Sequence, residues 1–278
     1  MKVISEKTGH SLRLISEVFG INRSNLYYRK RAVDGRLRPE LDDKSLLRRI
    51  KRIIRRRGSY GYRRVCAWLR RRVSLLVNHK KVYRVMKRFG LLLKRQQRTR
   101  WIHRGRVAVD QSNRRWCSDI TGIVSWNGQK GRFAFILDCC DREVLAWRFQ
   151  THIQWVDIGS MLDEAIAYRF GDNLETAGGL EFLHDNGPEY IATALKQYVE
   201  DDLKMIDCCT PYQSPQSNGM AEAFINTLKR DYVYQNVLED FESVKKMISE
   251  WIEDYNSVAP HSALNMMSPR QFINNRAA

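Results

Sequence analysis

The chain lacks any apolar run of the roughly 18 residues a membrane-crossing helix needs. Its opening "MKVISEKTGHS" has no apolar core of a signal peptide, which argues against secretion. The six cysteines (66, 117, 139, 140, 208 and 209) include two adjacent pairs but no CxxC and no paired Cys/His spacing, so zinc-finger spacing is excluded. They read as reduced, partly buried apolar residues, and the expectation is a soluble, cytoplasmic protein. A long heptad zipper is missing too.

Acid is scarce in the front of the chain. Residues 1 to 115 hold 35 Lys+Arg against 7 Asp+Glu, leaving 13 against 24 for residues 116 to 278, so a net +17 averages a front of +28 and a back of −11. A strongly basic, helical front points to a polyanion partner, most plainly DNA. The acidic back, with carboxylates at strand ends, is where divalent cations would bind.

Along the chain, residues 11 to 31 read as two short helices about a turn, Leu12, Ile15 and Phe19 keeping helical spacing, Gly20 making the corner and Ser16 letting the helices approach. The second helix would present Arg23 and Asn25 to DNA. "DDKSLLRRIKRIIRRR" predicts an amphipathic helix with Leu46, Leu47, Ile50, Ile53 and Ile54 inward. Two more follow, the last capped by Asn78, ended by Gly90, striped with Val82, Val85, Met86 and Phe89, and carrying Lys80, Lys81, Arg84, Lys87 and Arg88 outside. The expected layout is a helix-turn-helix segment at 1–41, a basic helix-turn-helix-like DNA-binding domain at 42–100, a basic linker at 101–115 and a catalytic core at 116–278.

From Trp116 the pattern changes to three strand-like runs, "WCSDITGIV", "GRFAFILDCCD" and "EVLAWRF", with "SWNGQKG" as a hairpin signal. A helix over about 154–170 follows, with Val156, Ile158, Met161, Leu162, Ala165 and Ile166 inward. Then come a strand to Asp185, a helix near 194–200, the strand "KMIDCC" and helices over 218–234 and 243–255. The order βββαβαβαα predicts a mixed α/β sheet with helices on its faces.

Three acids stand out by position. Asp119 interrupts a β-friendly run, Asp185 ends a strand, and Glu222 opens a helix with Asn226 and Lys229 on its face. Taken singly, each has an ordinary explanation: "HDNGP" is good turn chemistry, and an acid near a helix start is favoured by the dipole. If the first and fourth strands are neighbours, however, Asp119 and Asp185 sit side by side, and converging carboxylates repel unless a cation joins them. Asp138, Asp141, Glu189 and Asp207 are read as structural turn or strand-end acids.

The segments "WCSDITGI", "LHDNGPEY" and "PYQSPQSNGMAEAFINTLKRDYV" resemble the integrase-type catalytic core of bacterial insertion-sequence transposases. The tail "YNSVAPHSALNMMSPRQF" and the stretch "RRGSYGYRRVCAWLRRR…VNHKKVYRVMKRFGL" are similar to the two-reading-frame, copy-and-paste group and its second-frame product, called OrfB. The resemblance spans about residues 42 to 273. It implies a ribonuclease-H-like fold with a mixed five-stranded sheet, and an acidic catalytic and metal-binding triad at Asp119, Asp185 and Glu222. It further implies two Mg²⁺ ions, replaceable by Mn²⁺, and a DNA transposase that cleaves element ends and transfers a 3′-OH. Implied partners are terminal-repeat and target DNA, further copies of the chain in a synaptic complex, and an upstream first-frame protein joined by frameshift fusion. Residues 186 to 221 separate the second and third acids, one more than the family's usual spacing. Asn226 stands where relatives often carry Lys, leaving Lys229 as the contact for the DNA end. A non-catalytic regulator competing for element ends is the alternative; a general ribonuclease H or resolvase would not need the basic front.

Overall fold

The computed structural model describes residues 9–20, 42–94, 109–171, 177–210 and 218–277. The chain divides into two units, Met1–Asp42 and Asp43–Ala278. In the first, helix α1 covers Leu12–Val18, and Ser16 is buried, its hydroxyl donating to the Arg13 carbonyl at 2.8 Å. The helix expected to carry Arg23 and Asn25 lies outside the described residues.

The second unit begins with α2 (Asp43–Arg56), α3 (Tyr62–Arg72) and α4 (His79–Arg88). Their apolar stripes meet: Leu46, Ile50 and Ile53, Val65, Cys66 and Leu69, and Val82, Val85 and Met86 are buried. The Asn78 side chain caps α4 by accepting from the Lys80 N–H at 2.9 Å, and Gly90, at φ +66°, turns the chain away. Phe89 departs from its expected place in the stripe and is 43 % exposed. It is the C-cap residue of α4, where the backbone has left the helical period that would aim it inward.

Strands β1 (Arg115–Val124), β2 (Lys130–Asp138) and β3 (Val144–Gln150) form an antiparallel meander, its first hairpin closed by Ser125 donating to Gln129 at 2.9 Å with Gly128 at φ +85°. Helix α5 (Trp155–Phe170) leads to β4 (Glu181–His184), then α6 (Thr193–Gln197) and β5 (Ile206–Cys209). Helices α7 (Gly219–Asp231), α8 (Phe241–Ser257) and α9 (Pro269–Ala277) complete the unit. The sheet runs β3-β2-β1-β4-β5, with β4 parallel to both β1 and β5. This is the mixed five-stranded sheet that the sequence predicts.

Central β2 is buried on both faces, so its alternation divides two cores rather than core from solvent. Phe133, Phe135 and Leu137 pack with Phe224 and Leu228 of α7 and Ile248 and Trp251 of α8. Ala134 and Ile136 pack with Ile158, Met161, Leu162, Ala165 and Ile166 of α5. Val156, expected inward, is 54 % exposed: two residues before Ile158, it lies about 200° round the helix at 3.6 residues per turn. Each fully buried Phe or Ile contributes roughly 1.5–3 kcal/mol.

The basic helices are fastened to the core by ion pairs. Arg57 forks onto Asp254, which also accepts from the Tyr232 hydroxyl at 2.8 Å, and Arg64 meets Asp231 at 2.8 Å. Helix α9 was not foreseen, although "SPRQ" carries its start. Ser268 and Gln271 cap reciprocally at 3.3 and 3.4 Å around Pro269 in the first helical position. Asp138 and Asp141 are structural as expected: Asp138 accepts the N–H groups of Asn113, Cys140 and Asp141 at 2.7 to 3.0 Å, and Asp141 pairs with Arg169.

The edge strand β3 is tied to α8 through Asn256, 2 % exposed, whose amide accepts from the Val144 N–H at 3.0 Å and donates to the Val144 carbonyl at 2.9 Å. Asn256→Ala strips both partners from a buried peptide group, a cost of about 2–4 kcal/mol. Urea denaturation should read this as a lowered midpoint with an unchanged slope, and a change below ~0.5 kcal/mol would show that the amide does not hold the strand.

Candidate active site

β1 and β4 pair in parallel only over Arg115–Cys117 and Glu181–Leu183, with Cys117 opposite Leu183. β4 then stops at His184 and the chain turns through Asn186-Gly187-Pro188. Carried two residues past that pair, the register sets Asp119, in the middle of β1, against Asp185, the residue after the end of β4. The turn is an Asx turn in which the Gly187 N–H donates to Asp185 Oδ1 at 3.0 Å. A Cβ on Gly187 would stand 3.0 Å from that oxygen and 3.3 Å from Glu189 Oε2, so the close approach suits glycine.

Asp119, half-buried, accepts its neighbour's N–H, Ile120, at 2.7 Å. Burial pushes its carboxyl up to about 6; the Ile120 N–H opposes this, the charges of Asp185 and Glu222 add to it, and Lys229 partly offsets them. These four side chains therefore share one electrostatic neighbourhood. Glu222 stands exposed on the first turn of α7, with Asn226 and Lys229 following on the same face. Among the described residues no three acidic, histidine or cysteine side chains are drawn close enough to ligate a single ion. The convergence expected of the acids is thus a shared field, with two acids on the sheet and the third on a helix, rather than a closed ligand shell. The donor set nevertheless fits a divalent cation: all three are hard carboxylate oxygens, and the charges of Asp185 and Glu222 beside the buried Asp119 carboxyl are ones a cation would neutralise.

Behind the acids lies a set of buried polar contacts that the sequence did not announce. Ser118, fully buried, donates its hydroxyl to the Phe135 carbonyl at 2.8 Å and lies 2.6 Å from the Tyr190 hydroxyl. The Asn218 amide donates to the Ser118 carbonyl at 3.0 Å. His184 places one ring nitrogen 2.7 Å from the Asp185 carbonyl and the other 2.7 Å from Asp207 Oδ1, and stacks on Tyr190 at 5.0 Å. The available signal was a serine at an inward position of β1. Glu189 pairs with Arg132, as a structural acid should.

Of the basic residues, Lys80, Arg84, Lys87 and Arg88 are exposed on α4, Arg84 also reaching Asp43 at 3.2 Å, while the less exposed Lys81 approaches Asp43 at 3.9 Å. Asp119 and Asp185 are part-exposed where β4 stops beside β1, and Glu222 is exposed on α7. A cleft of about 700 Å³ sits elsewhere, between α2, α3 and α8, lined by Arg49, Arg52, Trp68 and Glu250 among others. An open site suits a polymer better than an enclosed small molecule.

Comparison with known proteins bears on the whole chain. An HTH-like domain model matches residues 40–99, and integrase core domain models match 109–214 and 208–269. The transposase InsD of insertion element IS2A/D/F/H/I/K of Escherichia coli is 38 % identical over 286 aligned residues, covering 97 % of this chain and 93 % of the relative. InsD of element IS2-9 of the K12 strain is also 38 % identical, with 97 % and 91 % covered. Among solved structures, the simian T-cell lymphotropic virus intasome in complex with PP2A regulatory subunit B56 gamma has a TM-score of 0.48 at 16 % identity, covering 81 % of this chain and 73 % of that one. The Mos1 mariner transposase catalytic domain has a TM-score of 0.42 at 20 % identity, covering 50 % and 70 %. With that degree of identity along nearly its full length, and an integrase core on the sheet just described, the chain belongs to the insertion-element transposases of the second-reading-frame type and is a DNA transposase of the polynucleotidyl transferase class.

Proposed function

We propose that Asp119, Asp185 and Glu222 are the catalytic and metal-binding acids of this transposase, working with two Mg²⁺ or Mn²⁺ ions as the family resemblance implies. The observation that carries the reading is the register of β1 and β4, which aligns Asp119 with Asp185 past the end of their pairing while Glu222 and Lys229 act on the same carboxyl. Divalent cations supply neutralisation of the carboxylates and of the charge that develops on the phosphoryl oxygens during in-line displacement. The chain's own groups define the geometry. Asp119 and Asp185, on the rigid sheet, set one fixed pair of oxygens, and Glu222 adds a third from the helix. Lys229, two turns along α7, offers a cation to the phosphodiester of the element end. Hydrolysis puts a water oxygen on phosphorus and breaks the bond to the 3′ oxygen, freeing a 3′-OH. In transfer that hydroxyl attacks a second phosphodiester and expels another 3′ oxygen, so one bond is exchanged for another and no nucleotide cofactor is consumed.

The front helices bind the terminal repeats, Lys80, Lys87 and Arg88 contacting phosphates, with Arg23, Asn25 and Asn226 as further contacts. Joining two ends calls for at least two copies of the chain. Full activity comes with fusion to the upstream first-frame product, the domains being those set out from the sequence.

Asp119→Asn, Asp185→Asn and Glu222→Gln should each abolish Mg²⁺- or Mn²⁺-dependent nicking of a terminal-repeat duplex while repeat binding changes less than about threefold; removal of one oxyanion-stabilising or metal contact is worth at least ~10²-fold. A variant that still nicks near the normal rate removes that residue from the triad. If wild type and fusion both bind but neither nicks, the chain is the competing regulator.

Asp119 also gives a pH test. A carboxyl raised in the fold binds its proton more tightly there than in the unfolded chain, so its stabilising effect is present at low pH and is lost as pH rises from about 4 through about 6. Without divalent cation, Asp119→Asn should therefore melt above wild type at pH 7.5 and level with it near pH 4, and added Mn²⁺ should narrow the gap. A gap that is the same at both pH values would remove the crowded carboxylate from the account.

Binding of the repeats should fall steeply with salt, log K losing about 0.9 per log unit of salt for each phosphate contact. Lys87→Ala and Arg88→Ala should each reduce that slope by about 1. Slopes equal to wild type would move the DNA off α4.

A further inference from the structure

We infer that a buried chain of five polar side chains, Asp207, His184, Tyr190, Ser118 and Asn218, is a positioning device that sets the spacing of the three acids, an inference that rests on the proposed catalytic role of those acids. Each acid has a member of the chain beside it: Ser118 precedes Asp119, His184 precedes Asp185, and Asn218 lies one helical turn before Glu222. The contacts are continuous. Asp207 holds one nitrogen of His184 at 2.7 Å, the His184 ring lies flat on Tyr190 at an interplanar angle of 8°, the Tyr190 and Ser118 hydroxyls are 2.6 Å apart, and the Ser118 carbonyl accepts from Asn218 at 3.0 Å. One line of side chains therefore runs from β5 through β4, its following turn and β1 to the start of α7.

Two details show that orientation outweighs local stability here. Asn218 occupies the N-cap of α7, a place where asparagine ordinarily bonds the first-turn N–H groups, yet it makes no capping bond. Its amide is turned instead to Ser118, and Oδ1, in a side chain 5 % exposed, is left buried without a partner. In β1, Ser118 places a fully buried hydroxyl on the face of Trp116, against a core built largely of apolar side chains, where a strand would be satisfied by alanine or valine. A buried hydroxyl is costly unless paired, and Ser118 is paired with Tyr190, from the turn that follows Asp185. Similarly, both ring nitrogens of His184 lie 2.7 Å from oxygens, so the imidazole is set between the Asp185 peptide and Asp207 of β5. Groups behind metal ligands orient them, and their loss ordinarily costs about 10- to 100-fold in metal affinity or activity.

The test uses the full chain with two mild variants. Tyr190→Phe keeps the ring on His184 and removes only the hydroxyl. Asn218→Ser keeps a good N-cap residue, and so the helix, but is too short to reach the Ser118 carbonyl. Each should lower kcat for repeat nicking by about 10-fold with KM for DNA unchanged, and weaken Mn²⁺ binding to the DNA-free protein, measured by calorimetry, by about 10-fold. Melting temperature should stay within a few degrees for Tyr190→Phe and hold or rise for Asn218→Ser. Wild-type turnover and Mn²⁺ affinity in both variants would overturn the inference while leaving the acids in place. So would losses that follow a fall in melting temperature. A wild-type protein that neither nicks nor binds Mn²⁺ would overturn the catalytic reading itself, and the inference with it.

Discussion

The short parallel pairing of β1 with β4 is the constraint on which the rest depends. It lasts three residues on each strand, and both chains then run on past it with an acid at the same distance. Its register is hard to shift because β1 is buried on both faces: Trp116 belongs to one core and Cys117 to the other. A slip of one residue would send an indole into space shaped for a thiol and would part Asp119 from Asp185 in the same movement. Packing that has nothing to do with chemistry thereby fixes the separation of two carboxylates that repel.

The same economy governs positive charge. Of the forty-eight Lys and Arg residues, the thirty-five before Trp116 read in the sequence as a polyanion-binding front, but the structure divides the cations by task. Arg57 and Arg64 face inward to Asp254 and Asp231, beside the rings of Trp68 and Tyr60 at 4.9 and 3.8 Å. Partly buried pairs of this kind favour one docking geometry over others more than they add net stability. Arg169 and Arg270 are drawn to Asp141 and Glu143, two acids almost wholly buried at the β2–β3 turn. Lys80, Lys87 and Arg88 remain exposed, and they are the proposed phosphate contacts. Because α4 belongs to a helix cluster pinned to α7 and α8, DNA bound there, as proposed, would be held at a defined place relative to the acids.

Periodic features were legible in the sequence. The stripe of α2, the Asn78 cap, the hairpin at Gly128 and the order of sheet elements all follow from local spacing, and local spacing is what the chain retains when folded. Asp119 was legible for the opposite reason, as an acid breaking a pattern. Phe89 and Val156 were placed wrongly because a period says nothing of where a helix ends or which side its first turn shows. The Ser118–Tyr190 contact spans 72 residues and the Val144–Asn256 contact 112, and no spacing rule connects such partners. Arg84 illustrates the same limit: on its helix it is one more outward cation, and only the fold brings Asp43 to it.

The division of the acids between sheet and helix has a consequence for how the site is completed. Asp119 and Asp185 are held by backbone N–H groups and by strand register, so their separation is nearly fixed before anything binds. Glu222 is exposed on a first turn whose only side-chain tie to β1 from the N-cap residue is the amide of Asn218. Of the three it is the acid with the most freedom, and as placed it does not close a ligand shell with the other two. Drawing it inward would require a gain that offsets the repulsion between the carboxylates, and a cation held by Asp119 and Asp185, as proposed, would provide that gain. Asn226 and Lys229 share the face of α7 with Glu222, so a DNA phosphate approaching Lys229 meets the same helix that the cation recruits. In the proposed reading, metal and DNA would favour the same placement of α7, so that each would bind more tightly in the presence of the other.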